Sequence, residues 1–432
     1  MTTHRRLVIV VRADPVICGH SGEARNLAEA ALLRGFDDVR IVTWPLDRLI
    51  ESGLPLKPLD EISPYSEGIV VERPEPVGDY KVPDGRYLAG IVGRLVELFT
   101  DGVPTVCMSL YLSPHTLAVS EAVQIARGTG LPVDVTTIAE AVGSDITNVV
   151  RAAVEEDRFG AAAQVLHAYL SSDVCVAVSE YTKELIVAEA AELDVLHGTR
   201  YAQQCRERIT ISYPAIDTRG YTSLTVAERD YVLASRGLRS GEYLLFLSRL
   251  GRAKGVDDLI DGYARSEVRH RLPLIICGDG PEREELHAYA AASSAADRIT
   301  FFHDVSDAEK PALMAGCAAY VLPSKPRPEF TETFGIALTE TMLAGGGPVI
   351  TCDTGGIGEA VGDTATFVPP SDPGAIAAAL DRLLLHTDTE ELAARSRRAQ
   401  QYALQFDRMP IFDNLLEKAD AVIAARRVAV SR

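Results

Sequence analysis

Short runs of β-branched and aliphatic residues recur along the chain, and longer amphipathic stretches separate them. Because each run is almost wholly apolar, the strands it predicts are expected to be buried on both faces, as in a parallel sheet covered by helices. In the first half of the chain these strands are predicted at residues 7–11, 39–43, 103–108 and 174–179. The alternation indicates an α/β fold.

The same alternation restarts after the segment RITISYP at residues 208–214. Strands are predicted at residues 243–247, 274–277, 299–302, 319–322 and 348–351. A chain of 432 residues that is 47% hydrophobic exceeds the size of one ordinary core. We therefore predict two doubly wound Rossmann-like domains, at residues 1–213 and 214–408, and a helix at 409–432 that packs back on the first domain.

A proline-rich tract at residues 54–83 breaks both periodicities. Tracts of this kind are typical of long functional loops rather than of sheet strands. We predict an excursion that shapes a pocket and is not part of the sheet.

Charge and cysteine usage exclude several classes of function. A formal net charge of -18 disfavours steering toward nucleic acid or an anionic membrane. The seven cysteines are scattered without a Cys-x-x-Cys pair, which fits a reducing compartment. No apolar stretch approaches the length of a membrane span. We expect a cytoplasmic protein without a nucleic-acid partner or membrane insertion, and its oligomeric state stays open.

A basic turn follows the strand predicted at residues 243–247. It reads SRLGRAKG, with Arg249, Arg252 and Lys254 beside two glycines, and leads into a helix predicted at residues 256–264. Cations at this position can offset a diphosphate without magnesium. A solvated basic loop is the alternative for so short a cluster.

A pair of glutamates follows the strand predicted at residues 319–322. The segment PSKPRPEFTETFGIALTE leads into a helix that we expect to begin near Thr333, with Glu332 at its entrance and Glu340 about two turns along. Free N–H groups of the first turn are donors for phosphate, and a rise of about 12 Å matches the reach from a sugar to a ribose. Helix capping is the alternative, but glycine-rich turns at 278–281 and 355–356 lie on the same rim.

These segments resemble the family four glycosyltransferases, retaining GT-B enzymes that include sucrose synthases and sucrose-phosphate synthases. The matching text covers about residues 242–363 in the family's order and spacing: LSRLGRAKGVDDLI, LIICGDGPEREEL, FFHDVSDAEKPALMAGCAAYVLPS, ETFGIALTETMLAGGGPVI and DTGGIGEAVGD. The segments HSGEARNLAEAALLRGFDDVRIVTW and VSEYTKELI resemble the family's first domain more loosely. The resemblance implies a GT-B fold of two Rossmann-like domains facing a central cleft, and metal-independent sugar transfer on one face with retained configuration.

The resemblance also implies a role for each residue of the site. Arg249 and Lys254 would bind the donor diphosphate, Glu332 would belong to the sugar end, and Glu340 would hold the ribose. The implied catalytic residues are Glu332, Arg249, Lys254 and His115. The implied donor-binding residues are Gly22, in the loop that closes on acceptor and diphosphate, Val305, whose backbone meets the base, and Arg249, Lys254, Glu332, Thr333, Phe334, Gly335, Ile336 and Glu340. The donor is expected to be a UDP-sugar, with GDP-, ADP- and dTDP-sugars open, and neither metal nor cofactor is expected.

One departure from the family lies in the first domain. Family members carry a His after a strand where this chain reads VDVTTIAEA at residues 133–141. His115 is the candidate in its place and His20 the second, although either can be an ordinary turn or surface histidine.

Three functions stay open. The first is a retaining, hexosyltransferase-like enzyme that acts on a small polar acceptor, such as a sugar, sugar phosphate or aminocyclitol. The second is a pseudo-glycosyltransferase that couples a nucleotide-activated cyclitol to an amine or hydroxyl, and the third is a non-catalytic nucleotide-sugar-binding subunit. The intact Arg249, Lys254, Glu332 and Glu340 favour the first, and a GT-B epimerase ranks last.

Overall fold

The computed structural model describes residues 5–78 and 83–430. The chain divides into two compact units: residues 1–216 with 408–432 form unit 1, and residues 217–407 form unit 2. Each unit contains one sheet in which every strand pairs in parallel with its neighbours. The predicted α/β class with two Rossmann-like domains is therefore confirmed.

Unit 1 is built on a seven-stranded sheet. Its strands are β1 Arg6–Val10, β2 Asp38–Val42, β3 Ile69–Glu72, β4 Thr105–Leu110, β5 Val135–Ala141, β6 Val174–Ala177 and β7 Ile209–Ile211. Its first helices are α1 Gly19–Leu33, α2 Leu46–Glu51, α3 Pro83–Thr100, α4 Leu117–Gly128, α5 Ala152–Glu155, α6 Phe159–Ser171, α7 Glu180–His197 and α8 Tyr201–Arg208. The strand order is β3-β2-β1-β4-β5-β6-β7.

Both faces of this sheet are buried, as the apolar runs predict. Leu7 and Ile9 of β1 pack in one hydrophobic cluster with α1, whereas Val8 and Val10 pack in another with α3 and α4. Side chains alternate between the two faces of a strand, so a run that is apolar at every position must have cover on both sides.

The proline-rich tract contains a strand, and the prediction that it lies outside the sheet is wrong. Strand β3, within the tract, pairs in parallel with β2, and Ile69 is opposite Val39. It is an edge strand of four residues, and Val70 is 47% exposed. A strand with only one neighbour and partial burial does not need the apolar run by which the central strands are recognised.

Unit 2 is built on a six-stranded sheet with the order β10-β9-β8-β11-β12-β13. Its strands are β8 Leu244–Leu247, β9 Leu274–Cys277, β10 Ile299–Phe302, β11 Ala319–Leu322, β12 Val349–Thr351 and β13 Thr366–Phe367. Its helices are α9 Thr218–Thr222, α10 Val226–Ser235, α11 Val256–Arg265, α12 Arg283–Ala292, α13 Lys310–Gly316, α14 Ile336–Ala344, α15 Ile357–Val361, α16 Pro373–His386 and α17 Thr389–Ala403.

The last helix, α18 Arg408–Val430, belongs to unit 1. Phe412, Leu415 and Ala419 are buried in the same cluster as Phe36 and α1. Phe412 meets Phe36 edge to face, with ring centroids 5.9 Å apart. Within the described ranges, no helix has the length and apolar character that a membrane crossing requires.

The two sheets share one topological feature. In each, the first strand of the unit lies next to the fourth, β1 beside β4 and β8 beside β11, and the chain winds outward from there in both directions. Open α/β sheets bind ligands at this reversal point, outside the carboxyl ends of the strands. The fold therefore positions one candidate crevice in unit 1 and one in unit 2.

Candidate functional site

The loops at the unit 2 crevice contact one another through their backbones. The N–H of Leu250 donates to the carbonyl of Asp279 at 2.9 Å, which joins the turn after β8 to the turn after β9. The N–H of Lys325 donates to the carbonyl of Ala253 at 2.8 Å, which joins the loop after β11 to the same turn. The motifs quoted from the sequence thus form one continuous rim.

Two glycines allow these loops to approach closely. Gly255 has φ +68°, and a Cβ placed there would lie 2.1 Å from the carbonyl oxygen of Pro323. Gly355 has φ +60°, and its Cβ would lie 2.0 Å from the carbonyl oxygen of Glu332. Any other residue would clash with backbone and adopt an unfavourable conformation. The glycines therefore set the distance between the basic turn, the loop after β11 and the Gly355 turn.

Lys254 and Glu332 form an ion pair at the centre of this rim. Both side chains are only 11% exposed. The ammonium also lies 5.4 Å from the ring centroid of Phe330. The prediction assigned Lys254 to the diphosphate and Glu332 to the sugar, and the structure brings the two groups into contact. An ammonium has three N–H donors, so one bond to Glu332 leaves two for a ligand.

Arg249 lies on the same turn and is exposed. Within the described part of the chain, no carboxylate forms an ion pair with its guanidinium. The side chain is therefore available to an anion at the crevice, and it can bind two phosphate oxygens at once.

The helix after the second motif begins later than predicted. Helix α14 starts at Ile336, and Gly335 precedes it with φ +107°. The left-handed conformation of Gly335 interrupts the helix, so Thr333 and Phe334 lie in the loop and the predicted start near Thr333 is wrong. The free donors of the first turn begin at Ile336. Glu332 and Glu340 do not share one helix, so the estimated rise between them does not apply.

Phe334 is buried and packs edge to face on Phe406, with centroids 5.0 Å apart. Its side chain therefore anchors the loop, and only its backbone can meet a ligand. Val305 lies in the loop between β10 and α13, at the same end of the sheet. Burial raises the pKa of Glu340 in α14, although Lys310 and the hydroxyl of Tyr221 oppose that shift.

Sequence reasoning missed Lys325, which follows β11. Its side chain is 5% exposed and forms ion pairs with Asp257 at 2.7 Å and Asp258 at 2.8 Å. Both aspartates lie in the first turn of α11. Lys325 therefore ties the loop after β11 to the helix that follows the basic turn. The adjacent acidic residues in VDDL were the only signal in the sequence, and such residues are common at helix starts.

In unit 1, Gly22 is not in a loop, contrary to the prediction. Helix α1 begins at Gly19, so Gly22 lies in its first turn. The loop between β1 and α1 consists of residues 11–18. His20, the second candidate histidine, lies in the first turn of the same helix.

His115 lies in a turn after β4, Leu112–Thr116, and is 1% exposed. Its ring meets Trp44 edge to face with centroids 4.9 Å apart. Neither ring nitrogen makes a hydrogen bond to another described residue. Burial lowers the pKa of His115 well below its usual range, and Arg12 and His20 lower it further. The imidazole is therefore neutral at physiological pH.

Three buried carboxyl groups of unit 1 were not identified from the sequence. Glu140 in β5 and Glu23 in α1 are almost fully buried, and burial raises the pKa of both. Glu23 accepts the N–H of Ala215 at 3.1 Å. Asp145 is the third, and its carboxylate accepts three backbone N–H bonds, from Leu112, Val142 and Gly143. Glu140 lies within the segment where the family has its histidine.

Among residues 5–78 and 83–430, no group of three or more His, Cys, Asp or Glu side chains is arranged to hold a metal ion. Arg249 and Lys254 contribute positive charge to the unit 2 crevice.

Comparison with known proteins locates the family signal in unit 2. Residues 236–402 match the family model described as glycosyl transferases group 1. D-rhamnosyltransferase WbpZ of Pseudomonas aeruginosa is 30% identical over 201 residues, which cover 46% of this chain and 50% of that protein. The chain spans about half the length of the curated relatives that it matches.

Two solved structures share the fold of the whole chain. Anabaena Alr3699/HepE, crystallised in complex with UDP and glucose, has a TM-score of 0.68 and 18% identity, covering 97% of this chain and 100% of that chain. Sucrose-phosphate synthase from Thermosynechococcus elongatus has a TM-score of 0.69 and 18% identity, covering 98% and 100%. The family match therefore lies within unit 2, and the likeness in fold to the two solved structures extends over both units.

Proposed function

We propose that the protein is a retaining glycosyltransferase that moves a sugar from a nucleotide-sugar donor to a small polar acceptor without a metal ion. The acceptor class includes sugars, sugar phosphates and aminocyclitols. The observation that carries the proposal is the Lys254–Glu332 ion pair at the reversal point of the unit 2 sheet, beside Arg249 and the start of α14. Cations and a helix amino end next to a carboxylate suit a diphosphate joined to a polyol.

In the proposed reaction, the bond between the anomeric carbon and the diphosphate oxygen breaks, and a bond to the acceptor oxygen forms on the same face. The acceptor's proton passes to the departing diphosphate oxygen. Arg249 and Lys254 stabilise the negative charge that grows on the diphosphate, and fixed charges of this kind act without reorganisation. Glu332 borders the transferred sugar, where its negative charge favours an oxocarbenium-like centre.

The remaining predicted residues complete the donor site. Glu340 holds the ribose, the backbone at Val305 meets the base, and the backbone from Thr333 to Ile336 meets the sugar and phosphate. A UDP-sugar is the proposed donor, supported by the UDP complex of the Anabaena neighbour. His115 stays a catalytic candidate and, being neutral, would act as a hydrogen-bond partner rather than a cation.

A thermal-shift screen tests the donor assignment. Ligands that bind only the folded state raise its melting temperature with the logarithm of their concentration over Kd. UDP and UDP-sugars are expected to stabilise the protein more than GDP, ADP or dTDP compounds. If no nucleoside diphosphate or nucleotide sugar shifts the melting temperature, the proposed function is wrong. With an active pair in hand, the anomeric coupling constant of the product by NMR tests retention.

A second candidate is favoured by one observation, which is that Glu140 lies within the segment where the family has a histidine. A pseudo-glycosyltransferase forms no ordinary glycosidic centre and has less need of that histidine. Turnover with a nucleotide-activated cyclitol, but not with nucleotide hexoses, would favour this candidate. Binding of the nucleotide without turnover of either donor would indicate a non-catalytic subunit.

A further inference from the structure

The crevice of unit 1 contains a guanidinium group without an acidic partner. Arg12 is the second residue after β1, at the reversal point between β1 and β4. Within the described part of the chain, no carboxylate forms an ion pair with it. Its guanidinium carbon instead lies 5.0 Å from the ring centroid of Tyr111, which follows β4. A guanidinium at this position without a carboxylate partner is available to an anionic ligand.

Tyr111 is held in a conformation that its type of residue avoids. Its φ is 110°, a region that costs a non-glycine residue about 1–3 kcal/mol. Its N–H donates to the carbonyl of Glu140 at 3.1 Å, and its ring meets His20 and His115 edge to face at 5.8 and 5.9 Å. Strained residues cluster at functional sites, and this backbone conformation places the ring of Tyr111 against the guanidinium of Arg12.

Other acidic groups near this crevice do not offset the charge of Arg12. Asp14 already forms ion pairs with Arg25 at 2.8 Å and Lys57 at 3.2 Å. Asp145 is buried and directs its oxygens at three backbone N–H groups. The positive charge of Arg12 therefore faces the crevice without a neutralising partner.

From this geometry we propose that the Arg12 crevice, formed by Arg12, His20 and Tyr111 above the buried His115, binds an anionic group of the acceptor, a phosphate or a carboxylate. Arg12 is its direct partner, because a guanidinium binds either anion through two parallel hydrogen bonds. Tyr111 holds the guanidinium in place. The identification of the bound anion as the acceptor rests on the proposed function, whereas the existence of an anion-binding site at Arg12 does not.

The donor diphosphate has its own cations, Arg249 and Lys254, in unit 2. A second anion site in unit 1, built from different residues, is therefore assigned to the other substrate. The assignment narrows the acceptor from any small polar molecule to an anionic one, such as a sugar phosphate or a uronate.

The experiment compares paired ligands that differ only in charge. Isothermal titration calorimetry on the full chain uses glucose, mannose and myo-inositol against their monophosphates, glucose and galactose against their uronates, and inorganic phosphate and UDP alone. At least one anionic member is expected to bind tenfold or more tightly than its neutral counterpart. If no pair differs and inorganic phosphate does not bind, the proposal is overturned.

Variants locate the site. Arg12→Ala is expected to weaken the anionic ligand tenfold or more and to leave UDP affinity within twofold, whereas Arg12→Lys retains part of the affinity. Arg5→Ala is the control, because Arg5 also lies over an aromatic ring, 5.3 Å from Phe36, but at the amino end of β1, where it pairs with Asp420. It should change neither affinity, and melting temperatures verify that each variant is folded.

Three results would contradict the assignment. Undiminished anion binding in Arg12→Ala removes Arg12 from the site. Loss of sugar-phosphate binding in Lys254→Ala but not in Arg12→Ala places the anion in unit 2. An equal loss of UDP and sugar-phosphate affinity in Arg12→Ala would show that the crevice binds the donor and not the acceptor. Anion binding that depends on Arg12 in a protein that binds no nucleotide would sink the proposed function and keep this site.

Discussion

The crevices of units 1 and 2 occupy the same place in the same strand order, yet they are built differently. In unit 2, short contiguous motifs meet through backbone hydrogen bonds and close glycine contacts, and the central lysine is already paired with Glu332. In unit 1, single residues from distant parts of the chain meet. The side chains of Trp44, Tyr111 and His115 pack ring against ring, and Arg12 lies over Tyr111 without an acidic partner. The strand topology determines where a ligand binds, and the side chains at that place determine which kind of ligand it is.

This difference suggests a division of labour. A site for a constant group such as a diphosphate can be made from a repeated backbone geometry, because phosphate oxygens accept from N–H groups of any residue. A site for a variable substrate depends on individual side chains. The family match to residues 236–402, within unit 2, agrees with this division.

The largest expected effect is on catalysis in Lys254→Ala. Removing this cation takes a preorganised charge from the diphosphate and leaves Glu332 without its partner. Loss of one such stabilising group typically lowers turnover about 100-fold or more. Steady-state kinetics with the best donor from the screen measure it, and Kd for the nucleotide should rise about tenfold, equivalent to about 1.4 kcal/mol.

Arg252→Ala is the control, because Arg252 is a cation of the same turn but is 67% exposed and 3.4 Å from Glu282. Exposed pairs of this kind contribute about 0–1 kcal/mol, so the change in turnover should be small. Equal losses in the two variants would show that only the general charge of the turn matters. The donor site of unit 2 would then not depend on the specific Lys254–Glu332 pair, and this difference from the unit 1 crevice would be lost.

The second effect is on stability and activity in Gly355→Ala. The added Cβ would lie 2.0 Å from the carbonyl oxygen of Glu332, at φ +60°. Strain and clash together are expected to cost about 3 kcal/mol and to displace Glu332 from Lys254. The melting temperature and the turnover rate should both fall.

Gly237→Ala separates strain from clash. Gly237 has φ +70°, but a Cβ there meets no atom within 4 Å. The Gly237→Ala variant should lose about 1–2 kcal/mol of unfolding free energy from the backbone conformation alone, and its turnover should be unchanged. If the two variants lose the same stability and activity, the close approach of loops is not what shapes the unit 2 crevice.

The sequence predicted most strands of the two sheets, but it missed the buried central strand β5 as well as the edge strand β3. Residues 274–277 and 319–322 are strands as predicted, because burial on both faces forces an apolar run. The edge strand at residues 299–302 was also predicted, although it is only partly buried. Strand β3 was missed because an edge position relaxes that requirement. The start of α14 was misplaced because nothing in the letters ETFG shows that Gly335 adopts φ +107°.

The candidate sites show the same limit. The unit 2 rim could be predicted because motifs after neighbouring parallel strands must meet at one edge. The direct contact of Lys254 with Glu332 could not, since it depends on the path of residues 325–331. In unit 1, Arg12 and Tyr111 carry no motif at all, and only the strand order brings them together.

The smallest expected effect concerns the buried carboxyl groups that distinguish unit 1. Burial raises the pKa of Glu140 well above its ordinary value of 4.5, and neighbouring Glu23 adds to the shift. Between pH 4.5 and the raised value the unfolded state loses this proton and the folded state keeps it, so stability falls as pH rises. Glu140→Gln cannot ionise in either state and escapes that loss.

The melting temperature of Glu140→Gln relative to the parent should therefore increase between pH 5 and pH 8. Glu121→Gln is the control, because Glu121 is exposed on α4 and its carboxyl is solvated in both states. Parallel pH curves for the parent and Glu140→Gln would mean that this carboxyl ionises freely in the folded protein. Strand β5 would then carry a negative charge inside unit 1, contrary to what the burial of Glu140 predicts.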